Sequence, residues 1–197
     1  LDRSSAASDV YKRQAEDTAL ILLAAGQSRR FGAGASKLDT LVRGLPLGLH
    51  AARAVEVVPF ARRIAVTARS AIDYGAEGFL VIPNDDPVGD MASSLRLGMA
   101  TAGKAAAVLV LLADTPNITA AHVGRLLAAG DGPRTIVAST DGGAPRPPAL
   151  FGEAWFGALS ALYGDHGARD LIRSGKLVQA SVCLLYTSDA ADERSSV

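Results

Sequence analysis

Cysteine is nearly absent from this sequence: there is one, Cys183, in 197 residues. A single thiol excludes an intrachain disulfide framework and any all-cysteine zinc site. Histidine is scarce too, and His50, His122 and His166 stand at spacings that match no metal-ligand pattern. Neither sign of charge is in excess, since 20 Lys and Arg balance 20 Asp and Glu. That balance excludes a nucleic-acid binder working by bulk electrostatics. The longest apolar runs, Ala19–Ala25 and Ala105–Ala113, fall far short of the ~20 residues a membrane helix needs. No basic-then-apolar leader opens the chain, so the expectation is a cytoplasmic protein with no membrane partner. What is present suffices for a core: 49% of residues are hydrophobic, which fits a globular domain and not a disordered chain. The length suits one domain.

The two ends differ in character from the rest. Ser4–Gln14 reads SSAASDVYKRQ and Cys183–Glu193 reads CLLYTSDAADE. Codons for the first stretch, reverse-complemented and read one base in, encode the second. One DNA element read inward from both ends therefore accounts for both, and it resembles a transposase adapter used in sequencing libraries. Segments of that origin are excluded from fold reasoning. The expected organisation is an adapter-derived tail over 1–14, a domain over 15–182 truncated at its C-terminus, and a second adapter-derived tail over 183–197. The one cysteine then lies outside the domain.

Within 15–182, short apolar runs alternate with helix-like segments. Thr18–Ala24 reads as a buried strand that stops before Gly26. Pro46–Val58 has helical spacing and runs up to Pro59. Arg63–Thr67 and Gly78–Ile82 read as strands, Met91–Thr101 as a helix, and Ala106–Leu112 as a strand stopped by Asp114-Thr115-Pro116. Thr119 suits the N-cap of a helix through Ala129. Thr135–Ser139 and Ala149–Phe151 read as strands, Glu153–Tyr163 and Ala168–Arg173 as helices, and Leu177–Val182 as a last strand. Strands without a polar face belong in a sheet covered on both sides. The class is α/β, a three-layer Rossmann-like fold with a mostly parallel, mixed sheet, and its ligand is expected at the C-terminal strand ends near a switch in strand order.

The loop after the first strand, Ala24-Ala25-Gly26-Gln27-Ser28-Arg29-Arg30-Phe31-Gly32-Ala33-Gly34-Ala35-Ser36-Lys37, is rich in small residues and carries three cations. Small residues let backbone amides approach phosphate, and the cations offset its charge. Neither the P-loop spacing nor the dinucleotide Gly-x-Gly-x-x-Gly fingerprint is met. On composition alone the loop is either a triphosphate cradle or an ordinary strand-to-helix turn with solvated arginines.

Leu22–Gly32 followed by Lys37 resembles the signature loop of the MobA-like nucleotidyltransferases, and within them the molybdenum cofactor cytidylyltransferases. The resemblance spans nearly all of residues 15–182 in order. Gly89-Asp90-Met91-Ala92-Ser93-Ser94-Leu95-Arg96-Leu97-Gly98 is similar to the family's Gly-Met-x-x-Ser-Leu-x-x-Gly. Leu111-Leu112-Ala113-Asp114-Thr115-Pro116 stands in place of its Leu-x-Gly-Asp-x-Pro, with Ala113 for the usual glycine. Pro147-Pro148-Ala149-Leu150-Phe151 and Gly164-Asp165-His166-Gly167-Ala168-Arg169 come next, the last being most particular to the molybdenum-cofactor branch.

The resemblance implies a Rossmann-like nucleotidyltransferase fold and a Mg²⁺-dependent transfer of CMP from CTP to a molybdopterin-type acceptor, with release of pyrophosphate. It also implies contact with a molybdoenzyme or its chaperone. Such a reaction leans on cations and aligned amides and needs no side-chain nucleophile. The implied nucleotide contacts are Ala24, Ala25, Gly26, Ser28, Arg30, Lys37 and Ser94. Lys37, Arg30 and Asp114 are the implied catalytic groups, with Asp114 as metal ligand. On the residues alone, Asp114 is either that ligand or a turn-forming aspartate, and Ser94 either a base or ribose contact or, like Ser93, a helix N-cap. Asp165, Gly167 and Arg169 fall on the acceptor side by resemblance, and Arg169 is otherwise an exposed arginine at a helix start. The Ala24-Ala25-Gly26 form is similar to the cytidylyl branch, whereas guanylyl enzymes tend to carry Ala-Gly-Gly. Bulk at Ala25 is expected to narrow the base pocket toward a pyrimidine. The family's second, C-terminal aspartate has no counterpart after Leu177, and Asp189 and Asp192 of the tail do not replace it. The fragment is expected to be weakened or inactive for that reason. Two readings stand beside this one: a related transferase activating a sugar phosphate or other phosphorylated acceptor, and a nucleotide-binding module without turnover.

Overall fold

The computed structural model describes residues 12–26, 36–68, 70–86, 90–164 and 167–180. A short helix over 12–16 (α1) leads into the central strand β1 (Thr18–Ala24), which is buried along its whole length. A two-stranded ribbon comes next, β2 (Leu41–Val42) and β3 (Leu45–Pro46), and then helix α2 (Leu47–Ala54). The chain continues as β4 (Arg62–Thr67), β5 (Leu80–Pro83), α3 (Met91–Thr101), β6 (Ala107–Leu112) and α4 (Ala120–Ala128). It closes with β7 (Ile136–Thr140), β8 (Arg146–Gly152), α5 (Phe156–Ser160), α6 (Gly167–Arg173) and β9 (Lys176–Gln179).

Among the described residues the main sheet has seven strands in the order β5-β4-β1-β6-β8-β7-β9. All run parallel except β8, which is antiparallel to both β6 and β7. Alternation along β1 splits the core into two layers. Leu20, Leu22 and Ala24 face the side covered by Ala51 and Ala52 of α2 and Val123, Leu126 and Leu127 of α4. Ala19, Ile21 and Leu23 face Leu95 and Met99 of α3, Leu159 of α5 and Ile172 of α6. The expected three-layer α/β fold with a mixed, mostly parallel sheet is therefore present. Among the described residues no helix is long and apolar enough to cross a membrane.

Several expected elements differ in extent. The helix expected over Pro46–Val58 ends at Ala54, where i+3 turns from Glu56 to Arg53 and from Val58 to Val55 replace it. The β-branched Val55, Val57 and Val58 make that stretch a poor helix. Before it, Pro46 closes a hairpin that the sequence pattern does not announce. Its two-residue turn, Arg43-Gly44, has positive φ at both positions, as the twist of a tight hairpin requires, but lacks the Asn-Gly signal. The helix expected over Glu153–Tyr163 is a 3-10 turn, Glu153–Trp155, followed by the short α5. The Trp155 indole donates to the Arg134 carbonyl at 3.0 Å, and Gly157 lowers the helix propensity of the segment after it. Strand β8 starts before Ala149 and includes Pro147 and Pro148. Its pairing with β6 covers only Ala149–Gly152, and the register with β7 shifts between Ala138 and Ser139, so the prolines sit where ladder donors are not needed.

Candidate functional site

Chain connections leave β1 toward β4 on one side and return to β6 on the other, so the strand order reverses between β1 and β6. A crevice outside the carboxyl ends of two such strands is the standard ligand position in an open α/β sheet. The segments at that point are Ala24-Ala25-Gly26 and Ala113-Asp114. They are held side by side, with the Ala113 amide donating to the Leu23 carbonyl at 3.1 Å. Ala24 and Ala25 are buried and Gly26 is exposed. The Ala25 methyl belongs to the core layer that contains Leu95, so bulk at this position acts through the packing beneath the loop.

Lys37 reaches the same point from the far end of the loop. Ser36 caps the 3-10 turn Lys37–Asp39, its hydroxyl accepting from the Leu38 amide, and Leu38 is buried. Lys37 Nζ lies 3.5 Å from Asp114 Oδ2, with the two side chains 24% and 35% exposed. Asp114 is presented by a turn that the buried Thr115 closes, its Oγ1 donating to the Leu112 carbonyl at 2.6 Å. Thr115 closes the turn, and the Asp114 carboxylate, paired with Lys37, is partly exposed. Ser28 and Arg30 lie outside the described residues.

Ser94 is 3% exposed, and its Oγ accepts from the Asn84 side-chain amide at 2.8 Å and donates to the Asp90 carbonyl at 3.3 Å. The N-cap of α3 is neither Ser93 nor Ser94 but Asp90, whose Oδ1 accepts from the Ser93 amide at 2.6 Å. Asn84 escapes sequence reasoning. Buried at the end of β5, it donates to Ser93 Oγ at 3.0 Å as well as to Ser94, accepts from the Asp86 amide at 3.1 Å, and through its own amide donates to Thr67 at the end of β4. Its only sequence signal is a turn-forming residue directly after a strand. Ser94 therefore belongs to a buried knot that fixes the start of α3.

Of the residues expected on the acceptor side, Gly167 begins α6 and Arg169 is exposed on it, while Asp165 lies outside the described residues. The structure joins this motif to α3 by an unexpected route. The Gly164 amide donates to Asp90 Oδ2 at 3.1 Å, and Arg96 donates to the Leu162 carbonyl at 2.5 Å. The Ser93 amide above all, with lesser help from the Ser93 hydroxyl, the Gly164 amide and Arg96, holds the Asp90 carboxyl below the usual aspartate range against the opposing effect of burial.

Comparisons with known proteins bear on the fold and the family. The chain is 34% identical over 86 residues to the purine catabolism protein PucB of Bacillus subtilis, a match spanning 44% of this chain and 41% of that protein. A crystal structure of the Rv0371c homologue from Mycobacterium sp. strain JC1 superposes with a TM-score of 0.75 at 25% identity, over 91% of this chain and 94% of that one. The fold is also that of Rv0371c from Mycobacterium tuberculosis solved in complex with manganese, with a TM-score of 0.70 at 23% identity, over 91% and 99% of the two chains. Residues 20–180 match the MobA-like NTP transferase domain, and the chain belongs to that nucleotidyltransferase family.

Proposed function

We propose that the chain is a Mg²⁺-dependent cytidylyltransferase that moves CMP from CTP to a molybdopterin-type acceptor and releases pyrophosphate. The observation that carries this reading is the Lys37–Asp114 pair, 3.5 Å apart at the point where the strand order reverses. Lys37 Nζ is placed to offset charge on the triphosphate, and Arg30 is assigned the same role from the loop motif alone. The backbone at Gly26 is exposed, and among the described residues a Cβ there would meet nothing within 4 Å, which leaves room for close approach by phosphate. The acceptor phosphate is assigned to the Asp165, Gly167 and Arg169 side, and delivery to a molybdoenzyme or its chaperone in the cytoplasm completes the proposal.

Asp114 fits a hard cation. Its carboxylate is accessible at a strand end, and among the described residues no group of three or more His, Cys, Asp or Glu side chains gathers to enclose a metal. Mg²⁺ suits such a place, because it keeps several waters and takes one or two carboxylates together with substrate phosphates. When bound there, it would supply further charge stabilisation to the triphosphate. The second aspartate of the family is assigned to the gene's own codons after Val182, which the adapter-derived tail replaces.

The test is pyrophosphate release with CTP or GTP and a molybdopterin acceptor, using the chain carrying its native C-terminal codons. Lys37→Ala should lower turnover about 10²–10³-fold, the scale of losing one preorganised charge-stabilising group. Undiminished turnover would remove Lys37 from the site. Equal rates with GTP and CTP would overturn the cytidylyl assignment.

A further inference from the structure

We propose that Asp90 is a positioning residue for the acceptor, tying the start of α3 to the first residue of the Gly164–Arg169 motif. The role rests on the proposed acceptor side. An N-cap needs one side-chain oxygen, and Asp90 Oδ1 serves that purpose on the Ser93 amide. The other oxygen is committed elsewhere: Oδ2 accepts from the Gly164 amide, 74 residues along the chain. Capping does not require that second bond.

A second tie lies two turns along the same helix. Arg96 donates to the Leu162 carbonyl, and its guanidinium carbon stands 5.1 Å from the centroid of the Tyr163 ring. Leu162, Tyr163 and Gly164 are thus each held from α3, although Tyr163 itself is 81% exposed. Leu162 also packs against the core layer that contains Leu95 and Met99, whereas Tyr163 and Gly164 are exposed, so the Asp90 bond is what sets the position of Gly164, where the motif begins. The first turn of α3, next to Asp90, is itself anchored through Ser93 and Ser94 to Asn84. One carboxylate therefore joins the helix that carries a nucleotide-side candidate, Ser94, to the acceptor-side motif. The sequence marks the same position. Where the family pattern has glycine directly before methionine, this chain has Asp90 before Met91, and glycine has no side chain with which to make either bond.

Asp90→Asn separates the two functions. Asparagine caps a helix as well as aspartate does, so the Ser93 bond survives. Its amide nitrogen cannot accept from Gly164. Titration of the full chain with molybdopterin and, separately, with CTP reads the outcome, alongside hydrogen exchange at the Gly164 amide. The variant should bind molybdopterin about tenfold more weakly, the scale of one hydrogen bond to a charged group. Its CTP affinity should stay within twofold and its thermal midpoint unchanged, while Gly164 exchanges about tenfold faster. Unchanged molybdopterin affinity in the variant, or equal weakening for CTP, would overturn the role of Asp90. A wild-type chain that binds CTP but not molybdopterin would overturn the acceptor reading and this role with it. Gly164 exchange would then still report whether the tie exists.

Discussion

His122 is buried between α4 and the sheet, and each of its ring nitrogens has a partner. Arg125, always a donor, stands 3.0 Å from Nδ1, so Nδ1 is an acceptor and the proton sits on Nε2. Nε2 then donates to Ser139 Oγ at 2.8 Å, and the Ser139 hydroxyl donates in turn to the Pro148 carbonyl at 2.7 Å. This relay satisfies the carbonyl beside the bulge in β8 and requires a neutral imidazole. Burial first, and Arg125 second, push the His122 pKa below its ordinary value. The unfolded chain therefore takes up this proton at a higher pH than the folded one. Stability from this group is intact above the ordinary histidine pKa of about 6.5 and is lost as pH falls toward the depressed folded value. Thermal unfolding of the wild type should accordingly decline between about pH 7 and pH 5. His122→Gln, which keeps a donor for Ser139 but does not titrate, should show a flatter profile over that range. Parallel profiles would mean that His122 titrates alike in both states. The sequence alone places this histidine only as structural or exposed. Arg125 lies one turn along the same helix, but Ser139 of β7 and, through it, Pro148 of β8 are brought in by the fold, and no local pattern encodes them.

At the scale of elements, the glycine that ends the Ser-Leu-x-x-Gly stretch has a packing reason. A Cβ on Gly98 of α3 would stand 2.5 Å from Ile21 Cγ2 in the middle of β1. Ile21 is fully buried and β-branched in the central strand, so it has nowhere to turn. Gly98→Ala would gain up to about 1 kcal/mol of helix propensity. Overpacking of a filled core costs about 1–3 kcal/mol, and with a contact this short the cost prevails. A net loss near 1 kcal/mol corresponds to a fall of roughly 2–4 °C in a domain of this size, readable in a thermal melt. An unchanged or raised midpoint would show that α3 can retreat from the sheet without penalty. Helix α3 is legible at both ends from its motif and turn-rich approach, and β1 and β6 from their unbroken apolar runs. The legible elements are those whose neighbours on both faces are apolar. The β2–β3 ribbon and the divided α5 region are not legible. Their form depends on left-handed backbone at Arg43 and Gly44 and on one indole bond from Trp155 to a distant carbonyl. Of the candidate site, Lys37 and Asp114 are visible because each belongs to a motif. Asn84 and the second bond of Asp90 are not, since both are defined by partners outside their own elements.

For the whole molecule, the strand order sets how far the missing half of the proposed metal site must reach. Asp114 follows β6, and the chain last described leaves β9, with β8 and β7 lying between. Neighbouring strands are ~4.8 Å apart, so β9 lies roughly 14 Å from β6 across the sheet edge. An extended chain covers ~3.3 Å per residue, and a return of about four or five residues suffices. Both strands point their carboxyl ends the same way, because β9 is parallel to β7 and, through the antiparallel β8, β7 is parallel to β6. A carboxylate soon after β9 is therefore geometrically able to face Asp114, in the stretch where, in the proposed reading, the adapter-derived tail begins at Cys183. Replacing Cys183–Val197 by the gene's own codons should raise Mn²⁺ affinity, measured by the spin-resonance signal of free Mn²⁺ in the presence of CTP, on the order of tenfold, as expected for adding a charged ligand. Asp114→Asn in the extended chain should abolish the gain, because one carboxylate alone would remain. If the extended and original chains bind Mn²⁺ equally, the second ligand lies elsewhere on the sheet edge.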